Sequence, residues 1–584
     1  MRNFFKIFFA SFLALVIFVV IAVFVLIAVV AGFSSADKPN VGSKAVLVVD
    51  LTRQYKEQEE ENPINNLTGN ADANVPGLYD VVRMIAYAKK DSAIKGIYIK
   101  CDDNVNGFAA SEELRNALID FKQSRKFVIA YGDVISQKAY YVANVADKVY
   151  CNPQGMVEWK GLSTTIMFLK GTLEKLEIEP QIFYAGKFKS ATEPLRAYQM
   201  SEPNKLQTSV YLNDLYSRML TAAAKKSNLD TAQLHSLANS GSIQTSSQAL
   251  TYHLVDGLKY DDEVKDEIIA NTKSDASGKI NFVSLGKYSK AVDYKDGSGS
   301  KIAVIFAEGE IIDGKGQDDQ IGADKFRALI RKVRLDKDIK AIVVRVNSPG
   351  GSALASEQIW RELTLAKKAK PVVISFGDVA ASGGYYISCN ADSIFAQPNT
   401  ITGSIGVFGI IPNMKKFFNN KLGITFDGVK TGPFADLPVA SRPLNDVEKV
   451  FVQNMIDTIY TTFKNRVSVG RKLSPAVVDS IAQGRVWTGQ KALEIGLVDK
   501  LGNIDDAIKC AAGMARLKEY KLKEYPEKKS FFDKIFNKYE NDVKTRSIKE
   551  EIGVEQYTLL QKMKSYRAMM NVPQAKMAYE ISFR

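Results

Sequence analysis

Histidine is nearly missing from this sequence: only His235 and His253 occur in 584 residues. A histidine-built metal site or a serine–histidine–aspartate triad would have to use one of them. His235 falls in a polar helical stretch and His253 in a segment far from the motifs described below, so both read as structural or exposed residues. Cysteine is scarce too. Cys101, Cys151, Cys389 and Cys510 show no paired metal-ligand spacing and no dense disulfide framework. They read as small buried hydrophobes, and no disulfide pairing among them can be assigned. No metal and no cofactor is expected. A concentrated basic cluster is also absent: 78 Lys and Arg against 65 Asp and Glu give a net charge of +13, but the lysines are dispersed. Without a nucleic-acid motif, nucleic acid is not expected as a partner. Proximity to a membrane surface accounts for the basic surplus more simply.

The N-terminus supplies the membrane. Phe8 to Phe33 is an almost unbroken run of Ile, Val, Phe, Leu and Ala, long enough to cross roughly 30 Å of hydrocarbon as a helix. Arg2 and Lys6 precede it, so the positive-inside rule keeps the N-terminus cytoplasmic and sends the rest across. The small residues from Ala31 to Ala36 would suit a cleaved signal peptide, but the apolar core exceeds the usual span of about 7–15 residues. The expectation is an uncleaved, single-pass anchor.

At this length roughly three or four domains are allowed, and an internal repeat organises them. Setting Ile94 on Ile339 aligns Asp91–Lys100 with Asp336–Arg345, and Ala110-Ser111-Glu112 with Ala355-Ser356-Glu357. The same register places Tyr131-Gly132-Asp133-Val134 on Phe376-Gly377-Asp378-Val379, and Tyr140-Tyr141 on Tyr385-Tyr386. The expected division is an anchor at 1–34, a linker at 35–43 and a first copy at 44–294. A linker at 295–301, a second copy at 302–515 and a basic helical extension at 516–584 complete it. Apolar β-type runs at Ile302–Phe306, Ala341–Val346, Val372–Phe376 and Ser393–Ala396 alternate with helical stretches. That alternation predicts an α/β fold: two tandem βαβ domains with mostly parallel sheets.

The copies differ where chemistry would sit. In the second, Ser382-Gly383-Gly384 follows a β-run and opens a helical segment. A serine there meets free backbone N–H groups and the positive end of a helix dipole, the setting of an activated nucleophile as well as of an ordinary N-cap. The strand ending in Ser348-Pro349-Gly350-Gly351 offers bare backbone amides suited to an oxyanion hole. The first copy has Asp102-Asp103-Asn104 in place of those glycines and Gln137 in place of Ser382. It holds instead Lys189, within Tyr184–Pro194, where the second copy has no counterpart lysine. One copy has the serine and the other the lysine, as a single site shared by two diverged halves would. A lysine becomes a base only if burial disfavours its charge. Tyr184, Ala185, Phe188 and Ala191 could provide that burial, and Lys187 is the nearby competitor.

Ser348-Pro-Gly-Gly, Asp378–Tyr386, Thr402-Gly-Ser-Ile-Gly-Val, Lys189-Ser-Ala-Thr-Glu-Pro and Gly484-Arg-Val-Trp-Thr-Gly489 together resemble the signatures of the signal peptide peptidase A (SppA) family in its long, duplicated, membrane-anchored form. The resemblance runs from the anchor to about residue 515. It implies a serine protease with a Ser/Lys dyad on ClpP/crotonase-like domains, with Ser382 as nucleophile and Lys189 as general base. Ser404 would help place the lysine amine, and Gly350, Gly351 and Gly383 would form the oxyanion hole. It also implies a homotetramer in the bacterial inner membrane, its catalytic part periplasmic, degrading remnant signal peptides. Two other readings compete: a cytoplasmic acyl-CoA enzyme on the related crotonase fold, which needs neither dyad nor anchor, and a non-catalytic membrane scaffold. In the extension, Phe531, Phe532, Ile535 and Phe536 stand at near-helical spacing, suiting an oligomer-packing tail or a membrane-surface helix.

Overall fold

The computed structural model describes residues 2–34, 38–59, 74–273, 279–295, 297–527 and 569–577, with side chains in the first of these segments given for Phe4 and residues 6–21. Arg2–Ser34 is one helix of 33 residues. Among the described residues no helix is long and apolar enough to cross a membrane; the side chains of much of the apolar run lie outside them.

Each copy is built on a parallel sheet. In the first, the strands run in the spatial order Gly257–Leu258, Lys148–Val157, Phe127–Ile135, Ile94–Lys100, Ala45–Asp50 and Asn281–Ser284. Strands such as Ala45–Asp50 are apolar on both faces because helices and loops cover both, as parallel sheets require. In the second copy Ser300–Glu308, Ile339–Ser348 and Val372–Ala381 form the centre. The β-runs seen in the sequence are all strands there, and Val372–Ala381 runs further than expected, up to the residue before Ser382.

Two parts of the sequence division need correction. Tyr520–Tyr525, expected in a helical extension, is a strand parallel to Ser300–Glu308. It takes the place that Asn281–Ser284 takes beside Ala45–Asp50, so the second repeat reaches residue 525. Its sequence, Tyr-Lys-Leu-Lys-Glu-Tyr, is half charged, and the lysines suit a sheet edge. The phenylalanines at 531, 532 and 536, with Ile535, lie outside the described residues.

The second correction concerns the first copy. Its strand Glu179–Ala185 leaves its own sheet and pairs antiparallel with Val407–Asn413 of the second copy over seven residue pairs. It closes a six-stranded sheet that also holds Gln320–Gly322, Glu310–Ile312, Gly350–Ser352 and a short strand from the far end of the chain, Gln574–Lys576. The copies are therefore interlocked.

A buried charge cluster holds the seam between them. Arg345, 1% exposed, lies 2.9 Å from Glu57 and 2.8 Å from Glu113, both carboxylates of the first copy. Asp378 of the second copy accepts from the amides of Ala109 and Ala110 at the first turn of the helix Phe108–Lys122. Glu308 accepts from the Glu57 amide. Burial pushes two of these acids up to about 7: Glu113, despite the Arg345 guanidinium beside it, and Glu308, which also faces Glu57. Groups that hold protons when folded and release them when unfolded stabilise the fold below that range and stop doing so as pH rises through it. Melting temperature is therefore expected to fall from about pH 4.5, the ordinary glutamate value, to about pH 7 and to level off above it, and Glu113→Gln to flatten that fall. Arg345→Leu, which strands buried carboxylates, should cost about 3–5 kcal/mol in denaturant unfolding; a loss near zero would show that the cluster does not hold the seam.

Candidate active site

The serine sits where strand Val372–Ala381 gives way to the helix Gly383–Ser388. Its backbone is at φ +54°, ψ −112°, a region that costs a non-glycine residue on the order of 1–3 kcal/mol. Flanking hydrogen bonds hold it there: Ser382 N donates to Gly403 O at 2.8 Å, and Tyr386 N donates to Ser382 O at 2.8 Å.

The glycine-rich turn comes within contact of this point. A Cβ on Gly350, at φ +95°, would lie 2.6 Å from Gly383 N, so only glycine admits the approach. The three glycines are not equivalent. Gly350 N donates to Ser348 Oγ at 3.2 Å, which turns its amide away from an oxyanion. Gly351 is paired across the ladder with Ala575, and Gly383 is the first residue of the helix, where amides lack an intrahelical acceptor. Of the residues expected to line an oxyanion hole, Gly351 and Gly383 fit by position. Gly350 fits by clearing space.

The lysine arrives from the other copy. Strand Glu179–Ala185 turns at Gly186, and Lys189 N donates back to Gly186 O at 3.0 Å. Lys189 Nζ then lies 2.9 Å from Ser382 Oγ, 3.0 Å from Ser404 Oγ and 3.1 Å from Ser404 O. Lys189 is 2% exposed, Ser382 0% and Ser404 1%. Burial alone drives the Lys189 amine well below its ordinary pKa, because an ammonium there loses its hydration. A neutral Nζ has one lone pair to accept the Ser382 hydroxyl proton and two N–H groups for the two Ser404 oxygens.

Lys187, the competitor, is exposed, and its amine lies over the Phe188 ring. His235 packs against Tyr216, and His253 occupies a turn at φ +57°. All four cysteines are free. In the first copy Gln137 staples local backbone: its Oε1 accepts from Lys160 N at 2.7 Å and Gly161 N at 2.9 Å. The position that aligns with Ser382 is thus a structural joint in the first copy.

Sequence reasoning passed over the two glycines that make room for the lysine. A Cβ on Gly484, at φ +73°, would lie 2.7 Å from Lys189 N, and one on Gly406 would lie 3.1 Å from Lys189 Cδ. Both stand inside motifs quoted above, yet only the fold shows what they face. Gln207, on helix Glu202–Ser227, ties the assembly by donating to Phe188 O and Ser190 Oγ and accepting from Val486 N.

Comparison with known proteins gives the class first. The chain is 36% identical to "Protease 4" of Salmonella typhi over 483 residues, covering 80% of this chain and 76% of that one. It is 34% identical to "Protease 4" of Haemophilus influenzae over 506 residues, 82% and 81% of the two chains. With the "Serine protease SPPA, chloroplastic" of Arabidopsis thaliana it shares 33% over 456 residues, 77% and 67%. A solved ClpP1 mutant from Listeria monocytogenes matches at 14% identity and a TM-score of 0.24, too low to bear on the assignment. The protein is a serine protease. Peptidase family S49 matches it twice, at residues 120–274 and 364–518, so the chain belongs to that family, in the duplicated form of SppA-type proteases.

Gly484→Ala, by forcing a left-handed alanine against the Lys189 backbone, should displace the amine and lower kcat by about 10- to 100-fold. KM and the far-UV circular dichroism spectrum should be unchanged. Unaltered kcat would show that the lysine tolerates the shift.

Proposed function

We propose that the protein is a membrane-anchored endopeptidase that degrades remnant signal peptides through a Ser382/Lys189 dyad. The observation that carries this reading is the 2.9 Å approach of a buried lysine amine from one copy to a strained serine hydroxyl of the other. Neutral Lys189 takes the Ser382 proton as Oγ attacks the scissile carbonyl. The oxyanion rests on the amides of Gly351 and Gly383, and the lysinium protonates the leaving amine. Water then attacks the acyl-enzyme, giving its proton to the same lysine, and Ser382 is restored. Ser404 holds the amine toward Ser382 throughout. Gly350 keeps the two halves of the oxyanion site in contact.

The rest of the reading concerns place and partners. The apolar run within Arg2–Ser34 would anchor the chain in the bacterial inner membrane with residue 2 on the cytoplasmic side. Its catalytic part would then face the periplasm, where cleaved, apolar signal peptides lie. ClpP/crotonase-like domains and a homotetramer belong to the same reading. An exposed apolar surface supports self-association: Leu422, Ile424, Phe426 and Val429 stand out from the chain, and Phe434 stacks on Phe451 at 5.1 Å. An acyl-CoA enzyme would have no use for a buried amine on the serine, nor would a scaffold keep it neutral.

Cleavage of a synthetic signal-peptide fragment in detergent tests the dyad. Ser382→Ala and Lys189→Ala should each lose on the order of 10⁴-fold or more in kcat while remaining folded. Because the amine must be neutral, wild-type activity should persist well below the ordinary lysine range and fall on acidification as Lys189 takes a proton. Near-normal activity in Lys189→Ala would place the base elsewhere. Activity in Ser382→Ala would overturn the serine mechanism.

A further inference from the structure

Ser382 keeps its strained backbone because its neighbours fix it. On its C-terminal side the fixing bond comes from Tyr386 N, so the stance of the tyrosine sets that of the serine. The Tyr386 hydroxyl donates to Glu357 at 2.5 Å. Arg466 donates to the same carboxylate through Nη2 at 2.7 Å and Nε at 3.3 Å. A forked guanidinium and a charge-assisted hydroxyl bond on one carboxylate fix geometry more firmly than neutral bonds do. Glu357 stands on the helix Ala353–Lys367 beside Ser356, whose Oγ lies 2.6 Å from where a Cβ on Gly383 would be. Arg466 belongs to the long helix Asp446–Arg471 and lies over the Trp360 ring at 4.0 Å. Phe463 of the same helix packs on the Tyr386 ring at 4.5 Å. The tyrosine is thus held at both its ring and its hydroxyl.

We propose that Glu357 and Arg466 are positioning residues for the nucleophile, acting through Tyr386 to hold Ser382 toward Lys189. The inference rests on the dyad proposed above. Ser382 and Lys189 stand 193 residues apart in the chain, so packing alone sets their spacing, and a small displacement of either costs rate steeply. The first copy holds the control. There Tyr141 donates to Glu112, and Arg218 of the helix Glu202–Ser227 donates to the same carboxylate at 2.8 Å. Tyr141 and Glu112 align with Tyr386 and Glu357, and the two arginine side chains are equally exposed, at 36% and 35%. The helix that this triad holds begins with Gln137, after an unstrained Ser136 at φ −67°. Both long helices also reach the turn before Lys189. Gln207 donates to Phe188 O, while Tyr460 Oη accepts from Gln483 N, whose own carbonyl accepts from Phe188 N. Comparison of Arg466 with Arg218 therefore isolates the serine side: both triads join helices, and only one of those helices carries the nucleophile.

Matched substitutions in the full chain test this: Arg466→Gln against Arg218→Gln, and Tyr386→Phe, which keeps the ring on Phe463 and removes only the hydroxyl. Turnover of the synthetic signal-peptide fragment gives kcat and KM, and the rate of Ser382 labelling by a fluorophosphonate reads the nucleophile without a peptide. Arg466→Gln should lower kcat and the labelling rate by about 10- to 100-fold, with KM held within about twofold. Arg218→Gln should lower the melting temperature comparably and leave both rates unchanged. Tyr386→Phe should lower kcat by about tenfold. In the variant carrying both Arg466→Gln and Tyr386→Phe the losses should coincide rather than multiply, because both act through one carboxylate. Arg466→Lys, which cannot fork onto Glu357, should recover only part of the rate. Equal kcat in Arg466→Gln and Arg218→Gln overturns the inference alone, as do losses that multiply. Unchanged kcat in Tyr386→Phe overturns it too, whatever the stability of Arg466→Gln. A wild type that is neither labelled nor active on the peptide overturns the dyad and this inference together.

Discussion

The geometry of this protein turns on one desolvated amine. Lys189 is buried, and that burial holds its Nζ well below the ordinary lysine pKa. A carboxylate nearby would restore the charge and end its use as a base; the partners present are hydroxyl and carbonyl oxygens of Ser382 and Ser404. Keeping a lysine neutral needs burial away from water. Here two copies provide it. The first sends a strand into the sheet of the second, and the glycines at 406 and 484 let the lysine backbone and stem pass within contact distance.

That division of labour explains which half degenerated and how. The first copy has Asp102-Asp103-Asn104 and Gln137 where the second has its glycine pair and Ser382. What it kept is the strand Glu179–Ala185, the turn after it, and the helix whose Gln207 ties both loops. It also kept Glu57 and Glu113, which meet Arg345 across the seam. The two charge systems ask opposite things of pH. The proposed dyad would work with its amine deprotonated, whereas the seam is most stable while Glu113 and Glu308 hold protons. Burial lowers the lysine and raises the carboxylates by the same physical cause.

Local chemistry was legible in the sequence, and non-local geometry was not. Ser382-Gly383-Gly384 after a β-run announces a strand-to-helix turn on its own, and the repeat register exposes Gln137 and Lys189 as complementary departures. The strands Ser300–Glu308 and Ser393–Ala396 follow from apolar runs. Three things needed the fold. Glu179–Ala185 changes partners, which no periodicity records. Tyr520–Tyr525 is too polar to read as a strand until its edge position is known. Gly350 carries the same motif as Gly351, but its amide is turned to Ser348 Oγ, a distinction of φ rather than of residue type.

The groove also bears on what can be cut. Its two walls, Gly350–Ser352 and Val407–Asn413, offer mostly backbone and apolar side chains. A segment added between them is recognised through its own main chain, with side-chain selection confined to alternate positions. Gln574–Lys576 satisfies those terms with a small residue, Ala575, beside the glycines. Larger residues there would meet Gly383 and the strained serine, whose position is fixed from both sides by backbone bonds. Ser382 is fully buried in this arrangement, and a peptide pairing between the same two strands would have to compete for the ladder hydrogen bonds that Gln574–Lys576 makes.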